Sequence, residues 1–510
     1  MELKLWCAIY NMKMSKSIRR NYIYNLFYQA ITILTPLITA PYLSRVLGPQ
    51  CIGELSYTES ITSYFVIFAT LGISIYGARE ISYVQNDIQK RTDVFWNTKI
   101  LTLITTIICL SIYFPFIYLF KQSKIILFLF SSVLIINVFF DVTWFFQGME
   151  EFGKIVLRNT IIRILNILFI FVFVHSVKDF YIYVLGAYGL QTISSLSLWP
   201  MLKKYIYKPS RIRPFSNIKT VISLFIPTIA ISIYTVLDKT MIGVFTANSY
   251  ENGYYEQALR LSKMILTIVT SLGVVMVPRI GVYVGKGDYG SVRKYMYRSY
   301  RFVFFLGIPL YLGLFVVSEN LVPWFFGVGY EKVIPLLKIL GLLILAIGIN
   351  NVTGVQYLIP TKRQNIFTFT VIIGAILNFA LNLFLIPLYF SIGAAIASVI
   401  AESVIAIIQL IIVRKELSFV EILKQNWKYL LSGFIMFVSL YFVENKLEAS
   451  VLNTLLLFIV GVFIYFSCLL VFKDSFFIET VLNLKNKISR RGTKNDEKIE
   501  NNENSSTFEE

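Results

Sequence analysis

Charged side chains set inside long apolar stretches are where this chain could do chemistry. Asp238 and Lys239 sit side by side in one such stretch, Arg260 and Lys263 in the next, Arg163 near the middle of another, and Asp141 in a fourth. A charge in hydrocarbon is costly, so residues of this kind face a cavity or a partner helix and mark the path of a cargo or an ion. Bases outnumber acids among them. Lysine and arginine hold phosphate and pyrophosphate through several charge-assisted hydrogen bonds. The expected chemistry is non-covalent capture of an anionic cargo in a water-accessible cationic cavity.

Polar residues recur at helical spacing around these charges. Asn25, Gln29, Thr32, Pro36 and Thr39 share one face; so do Asn159, Arg163 and Asn166; so do Thr228, Ser232, Thr235 and Lys239; so do Glu256, Arg260, Lys263, Thr267 and Thr270. The amides and hydroxyls suit a hydroxyl-rich cargo, although serine and threonine also serve close helix packing. Asp141 or Asp238 could bind a proton or sodium, or simply orient the cavity cations. Arg45 and Arg79 stand at opposite ends of their helices, as charges at two mouths or as ordinary loop-end anchors. Lys99 and Lys338 lie near helix ends and are expected to snorkel.

Several chemistries are excluded. GVYVGKGD around Lys286 lacks the spacing and the Ser/Thr of a phosphate-binding loop. No Asp-x-Asp pair serves a metal-dependent glycosyltransferase. The single histidine, His175, cannot build a metal site, and Cys7, Cys51, Cys109 and Cys468 lie too far apart for one. No metal, cofactor or catalytic residue is expected.

The elements that must position the charges are membrane helices. Of 510 residues, 56% are hydrophobic and only 15% charged, with mean hydropathy +0.68; soluble domains carry about 25% charged residues. Fourteen apolar spans can be read: 22–43, 55–77, 99–120, 124–147, 155–175, 180–200, 219–245, 254–280, 300–318, 333–357, 365–387, 391–413, 428–443 and 451–472, each near the roughly 20 residues a bilayer needs. Lysine and arginine crowd the N-terminus, the tail and the gaps after even-numbered spans, while the other gaps hold at most two each. This places both termini in the cytoplasm. The net charge of +18 is thereby dispersed over short loops, and nucleic acid is excluded as a partner.

The chain divides into a cytoplasmic N-terminus (1–21), a first lobe of six helices (22–200), a basic linker (201–218), a second lobe of six helices (219–413), a helix pair (414–472) and a disordered cytoplasmic tail (473–510). Met1 and Met14 are alternative starts. The lobes carry a faint repeat. SRVLG followed by GELSYTES in the first matches DKTMIG followed by GYYEQALR in the second.

PLITAPYLSRVLGPQCIGELSY (36–57), YGARE (76–80), DVTWFFQGMEEFGKIVLRN (141–159), LDKTMIG (237–243), GYYEQALRL and VPRI (277–280) together resemble the signature segments of polysaccharide repeat-unit, Wzx-type, flippases. The resemblance spans about residues 16–475. It implies membership of the multidrug/oligosaccharidyl-lipid/polysaccharide exporter superfamily, an all-α integral membrane fold of two MATE-like lobes around a central cavity, and alternating access. It implies an undecaprenyl-pyrophosphate-linked oligosaccharide as cargo, carried across the bacterial inner membrane for capsule or O-antigen assembly, with a polymerase and glycosyltransferases as partners. Arg163, Lys239, Arg260 and Lys263 would then hold the pyrophosphate, and Asn25, Gln29 and Asn166 the sugar. A multidrug exporter and a peptidoglycan-precursor flippase of the same superfamily are the rivals. A polysaccharide polymerase fits less well, because such enzymes carry a large external loop.

Overall fold

The computed structural model describes residues 16–120, 124–479 and 482, apart from the side chains of 16–30, 33, 226–234 and 274. Asn25 and Gln29 therefore lie outside the described side chains. Among the described residues the fold is entirely helical. In hydrocarbon, backbone groups must find partners within the chain, which leaves helices as the economical solution.

The first two expected spans form one element, α1 (Lys16–Thr70), bent at Gly48. Gly48 has φ 74° and precedes Pro49, so the helix can be neither regular nor straight there. The span expected to run to 77 instead stops at Thr70. Leu71 and Gly72 both adopt positive φ, and α2 (Ile73–Tyr83) follows in a new direction. Next come α3 (Ile88–Phe120), α4 (Ile125–Phe140), α5 (Thr143–Gly148), α6 (Phe152–Phe173) and α7 (Phe180–Ser197). The second half comprises α8 (Ile218–Thr246), α9 (Ser249–Thr270), α10 (Leu272–Gly285), α11 (Tyr289–Phe326), α12 (Val333–Leu340), α13 (Leu343–Asn350) with a π-helical turn at Asn351–Leu358, α14 (Gln364–Tyr389) and α15 (Ser391–Val413). The last pair, α16 (Phe419–Glu444) and α17 (Val451–Val471), packs on α11. Eleven helical stretches are long and apolar enough to cross a membrane among the described residues; the first, Leu34–Tyr83, runs over 50 residues through the bend at Gly48 and the break at Leu71–Gly72.

The gap at 141–142 shows how a membrane helix is broken without proline or glycine. Lys99 is not a snorkelling side chain: it is 2% exposed, and its ammonium donates to the carbonyls of Phe139 and Asp141. Trp199 Nε1 donates to the Phe140 carbonyl at 2.8 Å. Three carbonyls orphaned by the break are thus satisfied. Asp141 accepts from the Thr143 amide at 2.9 Å, just ahead of α5.

The basic linker is strapped to α3. Asp93 accepts from the Ser210 amide at 2.6 Å, Asn97 from the Arg213 amide at 2.5 Å, and the Arg91 guanidinium donates to the Tyr205 carbonyl. At the far end of the chain, the tail expected from Lys473 carries on as helix over 475–479. Its Asp474 is buried against Arg301 (3.1 Å) and Tyr429 (3.2 Å).

The two halves meet where α1 leaves its bend and α9 begins. A Cβ on Gly53 would lie 1.7 Å from the Ser249 carbonyl oxygen, and one on Gly253 2.0 Å from that of Pro49. These are the corresponding glycines of the internal repeat. Gln257 donates to Ser44 at 2.9 Å, Tyr330 to the Ser44 carbonyl at 3.3 Å and Lys124 to Ser249 at 2.7 Å, closing the same end. Replacing Gly53 with valine should force this seam apart. Spin labels at the exposed positions Gln50 and Val328 should read a longer distance in Gly53→Val than in the unaltered chain; an unchanged distance would contradict the contact.

Candidate functional site

Just beyond the Gly53 seam, α1, α8 and α9 turn polar faces toward one another. Glu256, on α9, is the centre. Its carboxylate takes the Lys239 ammonium from α8, Arg260 Nη2 from one turn along α9 at 3.4 Å, and the Ser56 hydroxyl from α1 at 3.2 Å. Glu59 lies one turn along α1 from Ser56 and accepts from Tyr188 of α7 at 3.0 Å. Ser60 of α1 accepts from Thr240 of α8 at 2.9 Å, and Tyr64 donates to Thr240 at 3.1 Å. The ion pairs therefore join α8 to α9 within the second half, and hydroxyl bonds from Ser56, Ser60 and Tyr64 cross between the halves. Lys263, one turn past Arg260, is exposed. Around Glu256 the named groups are three bases against two acids.

The space lined by Ser56, Glu59, Tyr183, Glu256 and Arg260 is about 30 Å3. That admits one water. Glu256 is the internal counter-ion of Lys239 and Arg260.

Asp238 belongs to a separate network, because adjacent residues on a helix point about 100° apart. It is 8% exposed. Asn382 of α14 donates to its Oδ1 at 2.7 Å, Tyr255 of α9 donates to its Oδ2 at 2.5 Å, and Ser398 of α15 shares Oδ2. Asn382 also donates to Asn378 at 3.1 Å. One carboxylate thereby joins four helices.

The structure gathers Lys239, Arg260 and Lys263 on facing helices. Arg163 and Asn166 stand half-buried on α6, which packs on α1 and α7. Arg45 donates to the Trp324 carbonyl, tying the α1 bend to the end of α11. Arg79 pairs with its neighbour Glu80 at 2.9 Å. Asp141 lies at the α4–α5 break. Lys338 pairs with Glu319 at 2.5 Å. Sequence reasoning passed over Glu59 and gave Glu256 no role of its own. The available signal was the i, i+4 spacing of Glu256 and Arg260 within one apolar helix.

The Glu256 cluster should behave as a unit. Lys239→Met and Glu256→Gln should each lower the thermal stability of the purified protein, and the double variant should lose less than their sum, with a coupling of about 0.5–3 kcal/mol. Simple additivity would contradict the ion pair.

The sequence model of the family described as "Polysaccharide biosynthesis protein" matches residues 18–284, which contain the Glu256 cluster and Asp238 with its α9 partner Tyr255. A protein of Escherichia coli (strain K12) named for O-antigen transport is 25% identical over 409 residues, covering 78% of this chain and 97% of its own. Among solved structures, the Lipid II flippase MurJ in an inward closed conformation superposes with a TM-score of 0.73 at 16% identity, covering 90% of this chain and 99% of that one. An inward-facing multidrug resistance MATE transporter of the MOP superfamily gives 0.61 at 13% identity, covering 76% and 94%. These two likenesses show the fold. The matched half of the sequence shows more: the chain belongs to the polysaccharide biosynthesis protein family, built on the helical fold that MurJ and MATE transporters share.

Proposed function

We propose that this chain is a Wzx-type flippase that moves an undecaprenyl-pyrophosphate-linked oligosaccharide from the cytoplasmic to the outer leaflet of the bacterial inner membrane. The observation that carries the reading is the cluster of Lys239, Arg260 and Lys263 around Glu256, at a seam between two halves of the molecule. The name of the Escherichia coli relative supports a glycan cargo. With both termini cytoplasmic, the Gly53–Gly253 seam closes the outer side.

The mechanism is exchange of counter-ions. In the closed state Glu256 neutralises Lys239 and Arg260. An entering pyrophosphate carries more negative charge than one carboxylate and offers more acceptors, so it displaces Glu256 from both bases. Arg163 joins from the N-terminal half. The displaced carboxylate faces Glu59, and that repulsion weakens the bonds that hold α1 on α9. The seam then opens outward while the lipid tail stays in the bilayer. No covalent bond is made or broken. The protein supplies only differential binding of the two states. Asp238 is the residue we assign to the coupling ion, because a proton or sodium ion exchanged at its carboxylate would loosen α8, α9, α14 and α15 together.

Deletion should leave sugar-bearing undecaprenyl pyrophosphates on the cytoplasmic side and remove a surface polysaccharide, read by mass analysis of lipid-linked intermediates. Arg163→Ala should reproduce that loss with protein levels unchanged. Normal surface polysaccharide together with sensitivity to cationic drugs would contradict the reading and favour a drug exporter.

A further inference from the structure

A second polar cavity, of about 310 Å3, lies wholly within the N-terminal half, between α1, α2, α3, α4–α5, α6 and α7. It is at the small end of the range for ligand pockets, about 300–1,000 Å3, and roughly ten water volumes in size. Thr70, Asn137, Asp141, Trp144, Arg158 and Gln191 are among the residues that line it. The Asn137 side chain is 4% exposed, yet neither its amide oxygen nor its amide nitrogen has a partner. A buried amide without hydrogen bonds costs several kcal/mol unless something polar fills the space beside it.

The charge balance says what that filler is. Thr143 bridges the acid and the base: its hydroxyl donates to Asp141 Oδ1 at 2.5 Å and accepts from Arg158 Nη1 and Nη2 at 3.3 Å. Arg158 is further held by Asn159 at 2.7 Å. Lys99 spends its charge on the backbone carbonyls of the break and is not among the lining residues; of the side chains that line the cavity, one positive group, Arg158, and one negative group, Asp141, cancel. A pyrophosphate would meet Asp141, and a bare cation would meet Arg158, so neither suits the pocket. A neutral, hydroxyl-rich ring suits it, since the walls offer donors and acceptors together and an indole as an apolar face. We infer that this cavity is a sugar subsite, holding one unit of the glycan while the pyrophosphate occupies the Glu256 cluster. The inference rests on the flippase reading above. Thr70 lies eleven residues beyond Glu59 on α1, about 16 Å along the helix, so the sugar held is one beyond that attached to the pyrophosphate.

The test compares two probes on full-length protein in lipid nanodiscs: sugar-bearing polyprenyl pyrophosphates extracted from the host membrane, and undecaprenyl pyrophosphate without sugar. Asn137→Leu keeps the side-chain bulk and removes its polar atoms. Gln191→Ala alters an exposed wall that folding does not depend on. Both variants should bind the sugar-bearing lipid about tenfold more weakly, with sugar-free binding changed less than twofold. Unchanged affinity for the sugar-bearing lipid in Gln191→Ala and in folded Asn137→Leu would overturn the subsite and leave the flippase reading standing. Failure of the unaltered protein to bind either probe would overturn both.

Discussion

The bilayer core offers no water to a buried charge, and the rest of this structure follows from that constraint. Glu256 sits where three helices from two halves converge, and Lys239, Arg260 and Ser56 meet it there. Removing both bases would strand a carboxylate, and removing the carboxylate would leave two cations without their shared counter-ion. The cluster ties α8 to α9 by charge and reaches α1 of the other half through the Ser56 hydroxyl. In the function proposed above, a group that replaces the carboxylate on the same bases releases it.

The same constraint explains the irregular backbone. Helix breaks inside a membrane leave orphaned carbonyls, and here a lysine and an indole are committed to them at the α4–α5 break. That break turns Asp141 away from a regular helix and makes room for the polar cavity lined by Asn137 and Arg158. Where the halves must touch most closely, side chains are dispensed with. Gly53 and Gly253 let backbone meet backbone, and the ion-pair cluster begins within a turn of them. Backbone contacts and hydroxyl hydrogen bonds cross this seam.

Much of the fold was legible in the sequence because hydropathy and loop charge report directly on the bilayer. Each expected span meets a helix, and the expectations at 391–413 and 451–472 agree with α15 and α17 within a residue. The failures have physical causes. The second span ends seven residues before its expected limit of 77 because Leu71, an apolar residue, takes a left-handed conformation that hydropathy does not register. Lys99 does not snorkel because backbone carbonyls, which carry no sequence signal, hold it inside. At the site, the bases were legible and their counter-ion was not. Basic residues in apolar helices are conspicuous, whereas Glu59 sits in a polar run, GELSYTES, and Glu256 in another, GYYEQALR. Only the crossing of α1 over α9 brings the two together.

The central claim is that Glu256 occupies the bases a pyrophosphate would use. Its most direct test is the affinity of the purified protein in nanodiscs for undecaprenyl pyrophosphate, compared between the unaltered chain, Glu256→Gln and a Lys239→Met/Arg260→Gln double variant. Counter-ion exchange predicts tighter binding in Glu256→Gln, where no carboxylate competes, and loss of binding in the double variant. Weaker binding in Glu256→Gln together with full binding in the double variant would contradict it.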